Sequence, residues 1–150
     1  MKAVVQRVSR ASVEIPSKNY SAKIGNGLLI LLGIKTGDIN EDVNFVADKC
    51  SSLRIFEDDE HKMNISVRDV NGEVLIISQF TLYGETAKGN RPSFIEAAKP
   101  DDAIPLYNKF VERMKENLGE QKIKCGIFGA MMDVSLINTG PVTVIVESKK

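Results

Sequence analysis

Polar side chains sit where a buried strand would end. Ser78, Gln79 and Thr81, with Phe80 among them, directly follow the apolar run Val74-Leu75-Ile76-Ile77. An unbroken apolar run reads as a strand covered on both faces, so the polar residues after it mark the point where the chain leaves its sheet. That exit can present hydroxyls, an amide and backbone N–H groups to a ligand. The same residues would also suit a half-buried strand facing solvent.

The rest of the chain limits the chemistry. Its single histidine, His61, lies in the polar run 57–62, and its two cysteines, Cys50 and Cys125, are far apart. A Ser-His-Asp or Cys-His arrangement would have to bring His61 across the fold, and a zinc site lacks ligands. Cys50 falls on the apolar face of a helix, where a thiol is a poor nucleophile. No metal and no cofactor is implied.

These residues need a frame. The 150 residues, 43% of them hydrophobic, suit one domain spanning 1–150 with a core that needs no staples. Twenty basic and twenty acidic residues balance to zero, which excludes a bulk polycation and leaves any nucleic-acid partner to a local basic patch. The first residues lack the apolar core of a signal peptide. The block 28–34, interrupted by Gly33, is too short to span a bilayer. With no disulfide spacing, a soluble protein in the reducing cytoplasm is expected.

In chain order, strands are expected over 1–8, 11–15 and 20–24, then a fully buried one over 28–34 after the turn Gly25-Asn26-Gly27. Asp38 and Glu41 have the spacing of a capping box, and Ile39, Val43, Val46, Ala47, Cys50 and Leu53 share one helix face. Asn71-Gly72 signals a hairpin pairing 65–70 with 73–80. Residues 84–93, with two glycines, a proline and two cations, read as a lid or binding loop, or as an ordinary connection. A turn or two of helix is expected over 94–98, stopped by Pro100. A longer helix follows, capped by Asp101 or Asp102, with Leu106, Tyr107, Phe110, Val111, Met114 and Leu118 buried and its end at Gly119. Strands then cover 123–127, 131–136 and 142–146. Asn138-Thr139-Gly140-Pro141 is read as a turn whose Gly-Pro peptide can be cis at small cost, and Lys149-Lys150 is expected to fray.

Two motifs sharpen this reading. Ser78-Gln79-Phe80-Thr81-Leu82 and Asn138-Thr139-Gly140-Pro141-Val142-Thr143 resemble, in sequence and separation, the two signatures of the D-aminoacyl-tRNA deacylases. The resemblance extends through Val5-Gln6-Arg7-Val8, Ala11-Ser12-Val13, Gly89-Asn90-Arg91-Pro92-Ser93-Phe94 and Gly126-Ile127-Phe128-Gly129-Ala130. Thr139 departs from it, standing where the family usually has aspartate.

The resemblance implies a mixed α/β fold of β-sheets with packed helices, in a three-layer, barrel-like arrangement, working as a homodimer. It implies as substrate a tRNA carrying a D-amino acid or glycine in ester linkage, with no membrane or DNA partner. Gly140 and Pro141 of one subunit, with a cis peptide, would enter the other's pocket beside Ser78, Gln79, Phe80 and Thr81. Their carbonyls would then wall out L side chains, and Arg7 would hold the segment in place.

Two mechanisms stay open. Thr81 could attack the ester, but no base adjacent in sequence activates it. The residues fit better with backbone N–H groups near Phe80 and Thr81 holding the oxyanion, Gln79 and Thr81 positioning ester or water, and the terminal 2′-hydroxyl assisting. The terminal adenosine is expected near Lys88, Arg91, Ser93 and Phe94, with wider tRNA contact from Lys109 and Arg113. The competing readings are a non-catalytic dimeric nucleic-acid-binding module and a small-molecule hydrolase using Cys125 or His61.

Overall fold

A computed structural model describes residues 1–148; Lys149 and Lys150, where fraying was expected, lie outside them. The chain forms β1 (Lys2–Ile15), β2 (Tyr20–Ile24), β3 (Gly27–Gly33), α1 (Asn40–Ser52), β4 (Phe56–Glu57), β5 (Met63–Ile65), β6 (Glu73–Ser78), α2 (Pro100–Leu118), β7 (Ile123–Cys125) and β8 (Asp133–Glu147). The main sheet runs β2-β1-β3-β6-β7, with β8 on the other edge of β1, while β4 and β5 pair separately. The apolar runs of β3 and β6 lie side by side, parallel to each other and to β7. Two crossovers, through α1 and then α2, step along the sheet in one direction. Because such crossovers are right-handed, both helices land on the same face. On the far side the sheet curls until the Tyr20 hydroxyl of β2 donates to the Cys125 carbonyl of β7 at 2.6 Å, nearly closing a barrel. The mixed, barrel-like α/β architecture expected from the sequence is observed.

The sheet separates two apolar cores. Leu28, Ile30 and Leu32 of β3, with Val74 and Ile76 of β6, pack against Val43, Val46, Ala47 and Cys50 of α1 and Tyr107, Phe110 and Met114 of α2. Leu29, Leu75 and Ile77 face the other way, into the barrel. This explains why neither strand alternates in sequence. β1 serves both cores: Ala3 and Val5 face the helices, and Val8, Ala11, Val13 and Ile15 face the barrel. Register shifts after Gln6 and after Val8 make this change of face possible, since an added residue inverts the side-chain alternation. What reads as two strands is therefore one bulged strand.

Several other expectations are corrected. Residues 65–70 do not pair with β6. The Ser66 hydroxyl donates to the Asp69 carboxylate and accepts from its N–H, and this local cap folds 66–71 into a turn closed by Gly72 N–H to the Val67 carbonyl at 2.9 Å. Asp38 is not the helix cap. Ile39 stands at the N-cap, its N–H donating to Asp42 Oδ2 at 2.8 Å. Segment 94–98 forms no helix: a single turn, closed by Ala97 N–H donating to the Phe94 carbonyl, leads Ala97 into a bridge with Lys35. Pro100 begins α2 rather than stopping a helix, and Lys99 takes the N-cap position expected of an aspartate. Arg113 does not point free into solvent: it forks onto Asp48 of α1 at 2.8 and 2.9 Å, while Lys109 donates to Asn40.

Residues 131–146 do not fold back as a hairpin. β8 is one strand that stays on β1 from Glu14↔Asp133 to Lys2↔Glu147. Between the pairs Val8↔Asn138 and Gln6↔Thr143, only Arg7 stands opposite residues 139–142. Gly140 and Pro141 thus lie on an outward excursion of a continuous strand.

Candidate active site

The parallel strands place the site. Ser78 ends β6 opposite Leu32 of β3, and backbone beyond the carboxyl ends of parallel strands is free to meet a ligand. Gln79 N–H donates to the Leu32 carbonyl at 2.8 Å, one last ladder bond before Phe80–Tyr83 turns into a short 3₁₀ helix. At its start the N–H groups of Phe80 and Thr81 have no acceptor within the helix. The Gln79 side-chain amide donates to the Thr81 hydroxyl, so these two side chains act as a unit.

Ser78, Gln79 and Phe80 form one side of a cavity of about 320 Å³. Phe128, Gly129, Ala130, Met131 and Met132 form the facing wall, and Ala98 and Ala103 line it where α2 begins. The wall is held from behind: Phe128 packs edge-on to Tyr107 with ring centres 5.6 Å apart, and the Tyr107 hydroxyl donates to the Ile76 carbonyl. Phe80 is 55% exposed and packs edge-on to Phe94 at 5.2 Å, leaving aromatic surface at the cavity mouth. Lys88 and Arg91 are exposed and Ser93 half-buried on the neighbouring loop; none of them, nor Phe94, lines the cavity.

The facing wall received no role from the sequence beyond its motif likeness. Within it Met131 is left 88% exposed, which core packing does not explain.

Arg7 and the Gly140-Pro141 segment form a second assembly. The buried Arg7 guanidinium donates from Nε to the Thr139 carbonyl at 3.0 Å and from Nη1 to the Ile55 carbonyl at 2.9 Å, with Glu57 at 4.0 Å from Nη2. Gly140 takes φ +127°, and a side-chain carbon added to it would come within 2.7 Å of Arg7 Nη2, so glycine is required there. The Gly140–Pro141 peptide is cis. Asn138 closes the excursion, accepting from Val142 N–H at 3.0 Å and donating to the Thr143 hydroxyl at 2.9 Å. Thr139 thus serves through its carbonyl, and local side-chain bonding falls to Asn138. Gly140 and Pro141 do not line the 320 Å³ cavity of their own chain.

The other chemical groups stay apart from the exit. Burial pushes the Cys50 thiol up to about 12 and also raises Cys125, so neither is a thiolate at neutral pH. His61 is an exposed hairpin-tip residue 3.4 Å from Glu57. Among the described residues, no group of three or more His, Cys, Asp or Glu is placed to hold a metal ion.

The exit of β6 thus brings together backbone donors, an amide–hydroxyl pair and an apolar cavity. The sequence matches the D-Tyr-tRNA(Tyr) deacylase family over residues 4–147, and the chain belongs to that family. A D-aminoacyl-tRNA deacylase of Flavobacterium psychrophilum is 58% identical over 149 residues, 99% of this chain and 98% of that protein. A solved structure titled c-Myc DNA Unwinding Element Binding Protein superposes with a TM-score of 0.93 at 41% identity, covering all of both chains. A second, titled as a probable eukaryotic D-amino acid tRNA deacylase, superposes with a TM-score of 0.85 over 98% of each chain. At 15% identity that likeness concerns the fold.

Proposed function

We propose that the protein hydrolyses the ester bond of D-aminoacyl-tRNA at the exit of β6, releasing free tRNA and the D-amino acid, and that it also clears glycine from mischarged tRNA. Family membership and the names of its relatives support the enzyme class. The observation that carries the mechanism is the bonded Gln79–Thr81 pair beside the first N–H groups of the 3₁₀ turn, at the mouth of a cavity with Ser78 and Phe80 in its wall. The N–H groups of Phe80 and Thr81 hold the developing oxyanion, and Gln79 and Thr81 position the ester or the attacking water. The substrate's own 2′-hydroxyl assists.

The site is completed in a homodimer. Gly140 and Pro141 are exposed, stand out from β8 and are braced by Arg7, which suits a segment that enters a partner's cavity. Ile145, on the same strand, is 66% exposed and gives the partner apolar surface to cover. Rigid backbone beside the substrate's α-carbon clashes with an L side chain and admits a D side chain or a hydrogen. The adenosine lies against the Phe80–Phe94 pair, with Ser93 beside it and Lys88 and Arg91 toward its phosphate. The reaction needs no cofactor, and its setting is the cytoplasm, where aminoacyl-tRNA is used. No helix of the described residues is long and apolar enough to cross a membrane.

Matched D- and L-aminoacyl-tRNA provide the test. The D residue is released and the L residue is retained. Equal hydrolysis of the two would sink the chiral wall, and release of neither would favour a binding module without catalysis.

A further inference from the structure

Most cations on the helix side of the molecule are engaged by the protein itself. Arg113 is bound to Asp48, Lys109 to Asn40, Lys115 to Glu112 and Lys35 to Glu96. The opposite side differs. A cavity of about 270 Å³ opens over β2, β1 and β8, with Arg10, Ser12, Lys23 and Ser135 in its lining and no carboxylate. Among the described residues, neither Arg10 nor Lys23 makes an ion pair or a side-chain hydrogen bond, and both are exposed.

The strand register explains the arrangement. Ser12 of β1 stands opposite Lys23 of β2 on one side and Ser135 of β8 on the other. At about 4.8 Å between strands, ammonium and two hydroxyls form a row roughly 10 Å long. Arg10, opposite Ile137, follows two residues along β1, at roughly 7 Å. Two residues the other way, Glu14 faces Ser21 and Asp133, so the surface turns negative just outside the cavity. A ligand is drawn to one row and repelled from the next, which fixes its position along the strands.

We propose that Arg10, Ser12, Lys23 and Ser135 bind phosphodiester groups of the nucleic acid whose 3′ end enters the ester site. Guanidinium, ammonium and hydroxyl donors are the usual phosphate partners, and none of them reads sequence. Ser135 precedes Gly140 on β8 by five residues, a rise of roughly 16 Å. Resting on the reading under Proposed function, the subunit that lends Gly140 and Pro141 to its partner's site also lends this row to the chain leading there.

Uncharged tRNA binding, followed by fluorescence anisotropy across a salt series, reads this site without catalysis. The double variant Arg10→Ala/Lys23→Ala binds about tenfold more weakly, and its slope of log affinity against log salt is shallower by about 1.4 to 1.8, the contribution of two phosphates. Lys23→Glu alone weakens binding further than Lys23→Ala. The double variant still hydrolyses the D-aminoacyl ester of adenosine, which has no phosphodiester, at the unaltered rate. An unchanged affinity and slope would overturn the proposal, as would an equal loss on tRNA and on the adenosine ester. If the unaltered protein binds tRNA with this salt signature but cleaves neither ester, the deacylase reading fails while the phosphate site stands.

Discussion

Two polar clusters stand at the same end of β3 and treat their hydrogen-bonding groups in opposite ways. At one, the Met1 ammonium donates to Asp38 Oδ1 at 2.8 Å and to the Ser148 hydroxyl at 2.9 Å, while Asp38 Oδ2 accepts the Lys35 N–H at 2.7 Å. Both members of that ion pair are fully buried. At the other, Ser78 and Gln79 are half-buried, Thr81 is exposed, and the leading N–H groups of the 3₁₀ turn face outward from the helix they begin. Gly33 lies between them: a side-chain carbon there would sit 3.1 Å from Leu82 and 3.2 Å from the Gln79 carbonyl. One cluster satisfies itself and holds the structure together. The other keeps donors available, as a site for chemistry must.

The comparison breaks first at the closed cluster. Asp38→Ala leaves a buried ammonium without its counter-charge and costs about 3–5 kcal/mol, read as a lower urea midpoint at unchanged slope. A loss below about 1 kcal/mol would mean that the cluster is not structural. Thr81→Ala tests the open one. As a positioning group, Thr81 contributes no more than about 10²-fold to kcat/KM, against about 10⁶-fold for a true nucleophile, and the unfolding midpoint stays put. An acyl group trapped on Thr81 and seen by mass spectrometry would reverse that assignment.

The smallest effect comes from Asp48, whose carboxyl is held below the usual range by the hydrogen bond from Arg113, and then by Asn117, against a cost of burial. A depressed folded value means stabilisation present above the ordinary carboxylate range and lost as pH falls through the lowered value. Asp48→Asn is therefore slightly less stable at neutral pH, and the two unfolding curves converge in acid. Being half-exposed, the pair is screened, so the difference shrinks in high salt.

Local signals carried the sequence reading where one element decided the outcome. The faces of α1 and α2 follow from helical periodicity, and the doubly buried strands β3 and β6, with the end of β6 at Ser78, follow from unbroken apolar runs. The reading failed where a short-range signal competed with distant partners. Asn71-Gly72 has the form of a hairpin turn, but Ser66 and Asp69 cap a local turn and β6 is claimed by β3 and β7. Gly140-Pro141 has the form of a chain reversal, but β8 finds β1 on both sides of it. The wall from Phe128 to Met132 was invisible because it becomes a wall only once α2 returns the chain beside β6.

The pairing of β1 with β8 also sets an order of events. Arg7 and Thr139 are separated by nearly the whole length of the chain, yet they share a hydrogen bond and adjacent strands. Closing a loop of that length carries an entropy cost, and packing of the intervening segments lowers it. During synthesis the strand-exit cavity's first wall, at 78–80, leaves the ribosome well before residues 139–142 exist. Arg7 can therefore brace the Gly140-Pro141 segment only long after its own synthesis, once residues 139–142 have been made and have reached β1.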